Sequence, residues 1–350
     1  MNPATLRHDV DLAPLSTFGL SARARELFVL EHPRQLAEMP PTDLPMLILG
    51  DGSNTVFLGD WPGRIVLNRL TGIRVERLND KTSRVEAAAG ENWHRLVRTC
   101  IDQGLHGLEN LIMIPGSVGA APMQNIGAYG VELSDRLESV SAWDWQQQEL
   151  VEIPIEDCGL EYRDSRFKST DRGRFLITGI RLRLDHEFRP STGYDSLARA
   201  LSYRHLDKPT PRQLAATVMR LRRHRLPDPA RLANAGSFFK NPVVDESETG
   251  DLFKDFPALP HWKLAHNRIK LAAGWMIERL GFRGYRIGDA GVYHNHALVL
   301  VNHGRATADQ LKELIGRIRS AVDDEFGVAL EPEPLLISPK SSSSLSVADF

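Results

Sequence analysis

The chain has 350 residues, a formal net charge of −2 and two cysteines, and 42% of its residues are hydrophobic. This length allows two or three domains of about 100–200 residues each. The near-neutral charge gives no reason to expect nucleic acid or an anionic membrane as a partner, and no apolar run approaches the ~18 residues that a membrane span needs. Cys100 and Cys158 lack CxxC or zinc spacing, so we expect a cytoplasmic protein with reduced thiols and no metal.

The first half of the chain is predicted to be mostly β-structure, after a loose arm over residues 1–14. Short apolar runs bounded by turn residues predict strands, and an apolar face that ends before Gly104 predicts one helix. The predicted strands are Pro45–Leu49, Ile65–Asn68, Ile73–Leu78, Arg84–Ala89, Glu138–Trp145, Glu149–Ile153 and Arg174–Leu184, and the predicted helix is Glu91–Gln103.

The second half of the chain is predicted to contain more helices. The clearest one runs from Thr307 to Phe326, where Thr307 and Gln310 form a capping box and Gly327 ends the helix. The serine-rich tail is expected to be disordered. The other predicted elements are helices at Gln213–Arg225 and Leu271–Leu280 and strands at Ala297–Val301, Val328–Leu330 and Leu335–Ile337.

The run 115–130 is the first candidate for a ligand site, because it contains four glycines and two prolines but no charged residue. Glycine is used in this way where φ is positive or where another group approaches the backbone closely. The amides of Gly116 to Ala120 are therefore expected to face a phosphate or a flat ring. A buried turn is the alternative. Asn125 and Tyr129 favour a ligand platform, since they add hydrogen-bonding groups to an apolar loop.

A second glycine turn, Gly50-Asp-Gly-Ser-Asn54, directly follows a predicted buried strand. Such a turn exposes several amides together and adds the Ser53 hydroxyl and the Asn54 amide, so it could hold a pyrophosphate. Many hairpins have a similar sequence, so this turn taken alone does not distinguish a pyrophosphate site from an ordinary hairpin turn.

Two polar segments are candidates for chemistry. Arg163 precedes a strong strand, and a buried arginine there would need either a structural carboxylate or an anionic ligand. Ser237 lies between Gly236 and two aromatic residues, which fits either a core turn or a rigidly held hydroxyl. Lys240 and Asn241 beside it argue against packing alone.

Five arginines surround His224, and they fit a solvated helix face, a clamp for a nucleotide diphosphate or an RNA-binding surface. The tripeptide His294-Asn-His296 lacks a carboxylate at ligand spacing, so a metal site is not predicted. The arginines are Arg220, Arg222, Arg223, Arg225 and Arg231.

In their order along the chain, these segments resemble the UDP-N-acetylenolpyruvoylglucosamine reductase family from about Ser16 to Ile337. A further segment around Gly193-Tyr194 resembles the loop that lays a tyrosine over bound substrate in the first type of this family. The matching motifs are Thr17-Phe-Gly19, Gly50-Asp-Gly-Ser-Asn54, Pro115-Gly-Ser-Val-Gly119, Gln124-Asn-Ile-Gly-Ala-Tyr-Gly130, Tyr162-Arg-Asp-Ser165, Gly236-Ser-Phe-Phe-Lys-Asn241 and Glu333.

The resemblance implies an α+β fold. It contains an FAD-binding domain of the vanillyl-alcohol-oxidase/PCMH type, with subdomains at 1–70 and 71–205. These subdomains are followed by a C-terminal α/β substrate-binding domain at 206–337 and by a disordered tail at 338–350.

The implied activity is the NADPH-dependent reduction of UDP-N-acetylglucosamine enolpyruvate to UDP-N-acetylmuramate in peptidoglycan biosynthesis. This step belongs to cell wall biogenesis and so to cell shape and cell division. Non-covalent FAD carries the hydride from NADPH to the terminal enolpyruvyl carbon through flavin N5, and Ser237 protonates the adjacent carbon. The partners implied are the UDP-sugar substrate and no second protein chain, so we expect a monomer.

The resemblance also assigns roles to individual residues. Arg163, Ser237 and Glu333 are implied in catalysis, with Arg163 neutralising the charge that develops on the substrate carboxylate. The substrate residues are Tyr194, Arg225, Lys240 and Asn241, and the FAD residues are Gly50, Gly52, Ser53, Asn54, Gly116, Ser117, Gly119, Asn125, Gly127 and Tyr129.

This chain departs from the family pattern at three positions. Pro334 follows the glutamate where the family usually has valine, His296 stands where relatives of this type often carry glutamine, and Arg225 replaces a lysine. None of these changes removes a catalytic group. Two other functions remain open: an alcohol oxidase of the same fold with covalent flavin, and a sugar-nucleotide-binding regulator without turnover.

Overall fold

The computed structural model describes residues 6–338. Apart from Ser338, the predicted disordered tail lies outside the described residues. The helices are α1 (Trp93–Asp102), α2 (Asp195–Tyr203), α3 (Pro211–Arg225), α4 (Gly250–Asp255), α5 (Ala273–Arg279) and α6 (Ala308–Phe326). The strands are β1 (Leu6–Asp11), β2 (Arg23–Leu30), β3 (Met46–Leu49), β4 (Thr55–Phe57), β5 (Trp61–Asn68), β6 (Ile73–Arg77), β7 (Thr82–Ala88), β8 (Gly127–Ala128), β9 (Val131–Glu132), β10 (Leu137–Asp144), β11 (Glu149–Pro154), β12 (Phe175–Asp185), β13 (Ala233–Ser237), β14 (Val243–Asp245), β15 (His261–Lys263), β16 (Arg268–Leu271), β17 (Arg286–Ile287), β18 (Ala290–Val292), β19 (Val299–Asn302) and β20 (Leu335–Ile337).

The chain divides into two compact units. The described parts of unit 1 are residues 6–8, Glu26–Asp51 and Gly63–Arg223, and those of unit 2 are Asp9–Arg25, Gly52–Pro62 and residues 224–338. The three predicted domains, with boundaries at residues 70 and 205, stay a prediction.

A five-stranded antiparallel sheet in the order β11-β10-β12-β7-β6 forms the centre of unit 1. Helix α1 buries Trp93, Leu96, Val97 and Cys100, the face that the three- and four-residue spacing predicts. The Asn92 side chain caps the helix by accepting from the Arg95 amide at 3.1 Å. These apolar residues belong to the same core cluster as the inner side chains of the sheet.

Another sheet has the order β1-β2-β5-β3, and β3 pairs in parallel with β5. Strand β3 and its following glycine turn lie where the sequence predicts them. The predicted loose arm is wrong over Leu6–Asp11, because these residues form the edge strand β1. Most of that strand is exposed, so it carries no apolar alternation that could predict it.

Unit 2 has its own core, in which α6 packs near the sheet β13-β19-β18-β17. The predicted capping box is confirmed: the Gln310 amide donates to Thr307 Oγ1 at 3.2 Å, and Gly327 ends the helix at φ 64°. The predicted strand Val328–Leu330 is wrong. These residues form no ladder, yet Val328 and Leu330 are buried in the core, so their apolar character reflects packing alone.

Two small sheets complete unit 2. One has the order β14-β16-β15, and the other pairs β20 in parallel with β4. The second pairing brings residues 335–337 alongside residues 55–57. It therefore joins the segment that carries Glu333 to the segment that follows the glycine turn.

Candidate active site

In unit 1 the loop 115–130 contains two buried amides that have no hydrogen-bond acceptor among the described residues. Gly116 and Ser117 are buried, and among residues 6–338 no backbone or side-chain oxygen accepts from their N–H groups. Gly116 has φ 112°, a value open to glycine and rarely to other residues. Since buried amides in native proteins are nearly always hydrogen-bonded, these two indicate a bound group at this point.

The other three amides of this segment face the protein rather than a ligand. Val118 donates to Glu91 at 2.8 Å, Gly119 donates to Ala89 at 2.8 Å, and Ala120 closes a short turn. The expectation that the amides of Gly116 to Ala120 all face a ligand is therefore wrong for these three. Gly119 is required for close packing, because a Cβ there would lie 2.6 Å from the Cβ of Ala89.

The first glycine turn approaches this loop within unit 1. A Cβ on Gly50 would lie 2.2 Å from Ser117 Oγ, so only glycine leaves that hydroxyl its place. Arg69 holds the same turn by donating to the Gly50 carbonyl and to Asp51 Oδ1, both at 3.2 Å. The two stretches predicted to form one cofactor site are thus neighbours at Gly50 and Ser117.

Asn125 supports the loop with its side chain. It is 1% exposed, and its Nδ2 donates to Glu132 Oε2 at 2.8 Å and to the Glu161 carbonyl at 3.4 Å. Its Oδ1 accepts from the Ser134 amide at 3.0 Å. The side chain is therefore committed to the loop, and a contribution of Asn125 to cofactor binding stays a prediction.

Arg163 lies against the same loop. Its Nη2 donates to the Gly127 carbonyl at 3.0 Å, and its guanidinium lies 5.3 Å from the ring centre of Tyr162. The Arg163 backbone has φ 57°, a left-handed conformation that non-glycine residues seldom adopt. Such conformations persist where the surroundings hold them, frequently at functional sites. The structure therefore brings Arg163 and the Gly127 turn together, while their roles at the site stay predictions.

Tyr129 and Tyr194 form an edge-to-face pair, with ring centres 5.5 Å apart. Tyr194 precedes α2 and is 42% exposed, so its ring is accessible as well as supported. The pair joins the glycine loop to the segment that resembles a substrate-covering loop.

Arg222 is a residue that the sequence placed in an arginine cluster without a role of its own. It is half-buried, and its Nε donates to the Met113 carbonyl at 3.2 Å. Burial lowers the pKa of Arg222, Tyr129 raises it, and the nearby charge of Arg163 lowers it. The Arg222 guanidinium therefore lies close enough to Arg163 in unit 1 for the two positive charges to repel each other.

In unit 2 the glycine turn continues with Gly52, Ser53 and Asn54. Gly52 is buried at φ 63°, and a Cβ there would lie 1.9 Å from the Leu15 carbonyl oxygen. Within residues 6–338 the amides of Gly52 and Ser53 have no protein acceptor. Asn54 Nδ2 donates to the Glu333 carbonyl at 3.3 Å. The contacts with Leu15 and Glu333 thus hold the turn in place, while the amides of Gly52 and Ser53 can bind another group.

Ser237 stands at the end of β13, after an irregularity in its pairing with β19 between Asn234 and Ser237. Gly236 takes φ 74°, and its amide donates to Asn234 Oδ1 at 2.9 Å. Irregularities of this kind are over-represented next to active sites, where they re-aim a side chain or end the pairing. The Ser237 residue is half-buried, next to the fully buried Phe238.

Glu333 lies on a segment that pairs with the residues after Ser237. The Glu333 amide donates to the Phe238 carbonyl at 2.8 Å, and the Lys240 amide donates to the Glu331 carbonyl at 3.0 Å. Glu333 is half-buried and Pro334 beside it is buried. The structure therefore brings the predicted serine and glutamate onto adjoining backbone segments of one unit.

The two polar residues after this serine take different roles in the structure. Lys240 Nζ donates to Glu331 Oε2 at 2.9 Å, so its ammonium group lies at the edge of the same segment. Asn241 Oδ1 accepts from the Ala273 amide at 3.1 Å, at the start of α5. The Asn241 carboxamide therefore has a structural contact in addition to any that it makes with substrate.

His296 stands near Arg225 in unit 2. Burial lowers the pKa of His296, the charges of Arg225 and Arg283 lower it further, and Glu278 opposes them. Its Nδ1 accepts from the Leu298 amide at 3.3 Å, so the hydrogen of the neutral ring is on Nε2. The neutral ring therefore presents a hydrogen-bond donor at Nε2.

The lowered pKa of His296 predicts a pH-dependent stability. Below about pH 6.5 the unfolded chain binds a proton that the folded ring accepts less readily, so the free energy of unfolding should fall as pH falls. His296→Gln should make this fall shallower, by at most about 1.4 kcal/mol per pH unit. Urea denaturation at about pH 7 and pH 5 measures the difference.

Asn295→Gln, a change at an exposed residue beside His296 that does not titrate, serves as the control and should leave the slope unchanged. Equal slopes for His296→Gln and the native protein would contradict the lowered pKa. His94 and His303 also have pKa values lowered by burial, so the fall should persist in part in His296→Gln.

The described residues contain no group of three or more His, Cys, Asp and Glu that could hold a metal ion. The helices in the same part of the chain are all too short or too polar to cross a membrane.

In the described part of each unit, glycine turns carry amides without a protein acceptor, and a Cβ at Gly50 or at Gly52 would collide with protein atoms. Such turns fit the phosphates and the polar ring edge of a dinucleotide cofactor. Residues 34–153 match a family described as FAD binding domain. Together with the relatives below, this match makes the chain an FAD-dependent oxidoreductase of α+β fold, as predicted.

Residues 228–337 match the family described as UDP-N-acetylenolpyruvoylglucosamine reductase, C-terminal domain. A protein of that name from Chromobacterium violaceum is 46% identical over 95% of this chain and 98% of its own. One from Dechloromonas aromatica is 41% identical over 96% of this chain and 100% of its own. The crystal structure of the Thermus caldophilus enzyme superimposes with a TM-score of 0.65 at 26% identity, covering 95% of this chain and 100% of that one.

The chain belongs to the UDP-N-acetylenolpyruvoylglucosamine reductase family.

Proposed function

We propose that this protein reduces UDP-N-acetylglucosamine enolpyruvate to UDP-N-acetylmuramate with NADPH, a step of peptidoglycan synthesis that supports cell shape and division. The observation that carries the proposal is the 2.8 Å hydrogen bond from the Glu333 amide to the Phe238 carbonyl. It joins the backbone that carries Glu333 to the residue directly after Ser237, in a chain whose relatives bear the name of this reductase.

FAD is held, in this proposal, by the two glycine stretches. In unit 1 the amides of Gly116 and Ser117 donate to its polar groups, and the roles of Gly52 and Ser53 stay predictions from the resemblance. Non-covalent FAD supplies the hydride chemistry that no protein side chain can perform. The glycines are needed because a Cβ at Gly50 or Gly52 would collide with protein atoms at 2.2 and 1.9 Å.

Ser237 donates the proton in the proposed reaction. Hydride addition to the terminal alkene carbon leaves negative charge on the carbon beside the carboxylate, and that carbon is the proton acceptor. A serine hydroxyl is a weak acid at neutral pH and becomes competent only toward so basic a carbon. Ser237 is fixed between Gly236 and the buried Phe238, which limits the directions that its hydroxyl can take.

Arg163 stabilises the charge that develops during this step. Delocalised into the substrate carboxylate, the charge becomes an enolate-like dianion, which a planar guanidinium binds through two hydrogen bonds. The contact with the Gly127 carbonyl fixes one edge of the Arg163 guanidinium. Glu333 would oppose the charge as a carboxylate, so it contributes either as a protonated acid or by polarising a donor.

Arg225, Lys240 and Asn241 bind the sugar nucleotide. Arg225 is exposed and Lys240 half-buried, so both cations are accessible to a diphosphate. His296 replaces a glutamine without loss of function in this scheme, because its neutral ring keeps a donor on Nε2.

Tyr194→Phe should raise KM for the sugar nucleotide several-fold to about 10-fold while FAD affinity stays unchanged, because a covering residue acts by retaining bound substrate. The ring contact with Tyr129 is preserved in this variant, so only the hydroxyl is tested. Steady-state kinetics and flavin fluorescence measure the two quantities.

Tyr203→Phe is the matched control, since Tyr203 ends helix α2, which begins directly after Tyr194, and is 86% exposed. Weakened FAD binding in Tyr194→Phe, with KM unaltered, would show that Tyr194 serves the cofactor rather than the substrate.

The proposed activity is tested by incubating the purified protein with NADPH and the enolpyruvyl sugar nucleotide under nitrogen. One lactyl ether product per NADPH oxidised supports the proposal. Binding of the sugar nucleotide without NADPH oxidation would indicate a regulator, and oxygen consumption with a carbinol substrate would indicate an oxidase.

We further propose that the protein acts in the cytoplasm, as a monomer. Its two cysteines are both buried free thiols, which suits a reducing compartment. Light scattering should give one chain mass of 39.2 kDa. A mass of twice that value at micromolar concentration would exclude the monomer.

A further inference from the structure

Asn110 is a buried carboxamide that joins two loops of unit 1. It is 2% exposed, and its Nδ2 donates to the Tyr129 carbonyl at 2.8 Å and to the Ser191 carbonyl at 2.9 Å. Both donors of the amide group are therefore used, one on each loop. A buried side chain with both donors committed in this way holds its partners in a fixed relation.

The first partner lies in a strained turn. Strands β8 and β9 are joined by the two residues Tyr129 and Gly130, which have φ values of 51° and 81°. Two successive positive φ values define a type I′ turn, whose first position normally holds asparagine, aspartate or glycine. Tyrosine is disfavoured there. The hydrogen bond from Asn110 to the Tyr129 carbonyl stabilises this unusual conformation.

The second partner begins the segment that ends at Tyr194. Ser191 and Tyr194 are exposed, and α2 starts after Tyr194 without a side-chain cap. The segment is attached to unit 1 through the Ser191 carbonyl and through the Tyr194 ring, which contacts Tyr129 edge to face at 5.5 Å. Both attachments lead to the same two residues, Asn110 and Tyr129.

The turn that carries Asn110 is itself fixed. The Glu109 carboxylate accepts from the Gly107 amide at 2.8 Å and contacts His106 Nδ1 at 2.9 Å, and Glu109 is 3% exposed. The His106 ring also contacts Phe188 at 5.2 Å, near the start of the same exposed segment. The buried turn therefore provides a rigid base from which Asn110 reaches both loops.

We propose that Asn110 is a positioning residue for the sugar nucleotide. It holds the Tyr129 turn and the Ser191 segment together, and thereby keeps the Tyr194 ring in place over bound substrate. This inference rests on the proposed function, in which Tyr194 covers the substrate. Asn110 itself does not contact the reacting atoms.

Asn110→Asp tests the inference, because aspartate keeps the shape of the side chain and removes both donors. We expect KM for the enolpyruvyl sugar nucleotide to rise by roughly 5- to 50-fold, which lies within the range of couplings between contacting groups. The rate of anaerobic flavin bleaching by NADPH should change by less than about 2-fold, since the two hydrogen bonds of Asn110 do not act on that reaction. Asn110→Ser removes the same donors without adding a charge, and it provides the second variant if the aspartate variant does not fold.

Asn68→Asp is the matched control. Asn68 is also buried in unit 1, at 4% exposure, and its Nδ2 donates to the Ile177 carbonyl at 2.9 Å. It should lower the thermal midpoint as the Asn110 variants do, yet leave KM unchanged. This comparison separates loss of a buried hydrogen bond from loss of loop position.

A double-mutant cycle with Tyr194→Ala shows whether Asn110 acts through Tyr194. In the Tyr194→Ala background, Asn110→Ser should raise KM by less than about 2-fold, because the ring that it positions is absent. Full additivity, or an unchanged KM in folded Asn110 single variants, would overturn the inference. Absence of turnover in the native protein would instead refute the proposed function, so the two failures are distinguishable.

Discussion

Ser237→Ala is expected to slow protonation of the enolpyruvyl substrate by roughly 10²–10⁴-fold, the usual worth of general acid catalysis. Bleaching of the flavin by NADPH requires no proton from Ser237, so it should proceed at close to the native rate. The loss of one half-buried hydroxyl costs about 1 kcal/mol of stability, which is too little to unfold the protein. Stopped-flow absorbance, recorded separately for NADPH and for the enolpyruvyl substrate, measures the two rates.

Thr307→Ala is a suitable control for Ser237→Ala. It removes the hydroxyl that caps α6 in the same unit, where the Gln310 amide donates to it at 3.2 Å. The stability cost is also about 1 kcal/mol, but neither rate should change. Equal slowing of both rates in Ser237→Ala would indicate a displaced flavin, and an unimpaired second rate would remove Ser237 as the acid.

Arg163→Lys is expected to keep FAD and to lose turnover by roughly 10²–10³-fold, the effect of removing one preorganised donor to a developing oxyanion. Lysine retains the positive charge but not the planar fork that spans a carboxylate. The contact with the Gly127 carbonyl at 3.0 Å would also be weakened, which allows the cation to move. The flavin spectrum and kcat of the purified variant measure the two expectations.

Arg166→Lys provides the comparison for Arg163→Lys. Arg166 lies three residues further along, where it pairs with Asp171 and donates to the Asp157 carbonyl, so its partners are structural. Its replacement should lower stability without changing kcat. Near-native turnover in Arg163→Lys would assign Arg163 to a structural role as well.

The elements best predicted from the sequence are those whose signal is local. The α6 helix carries its cap, its apolar stripe and its terminal glycine within the element itself, and the structure reproduces all three. The β1 strand and the α2 helix were not predicted. In β1 most residues are exposed, and in α2 only Leu197 and Leu201 are buried, so neither shows a full apolar pattern.

Apolar runs that pair with no neighbouring strand lead to the opposite error, the prediction of a strand that does not form. Val328 and Leu330 read as a strand because both are buried, and burial alone does not distinguish a strand from an extended core segment. Only the tertiary structure shows which strand a segment pairs with.

The site likewise contains residues that the local sequence indicates and contacts that only the folded structure reveals. Glycine content predicts the turns, and the structure adds that Gly50 adjoins Ser117, 67 positions later in the sequence. The two hydrogen bonds of Asn110 had no signal in the sequence, because Tyr129 and Ser191 lie 19 and 81 positions further along the chain. The glycine loop also illustrates an error: three amides expected to face a ligand are used by the protein.

In the proposed function, one bound flavin passes electrons from NADPH to the enolpyruvyl sugar nucleotide. An anaerobic titration followed by visible absorbance tests it most directly. NADPH should bleach the flavin bands, and one equivalent of UDP-N-acetylglucosamine enolpyruvate should restore them without oxygen. Bands that stay bleached until air is admitted, or a purified protein that binds no flavin, would contradict the claim.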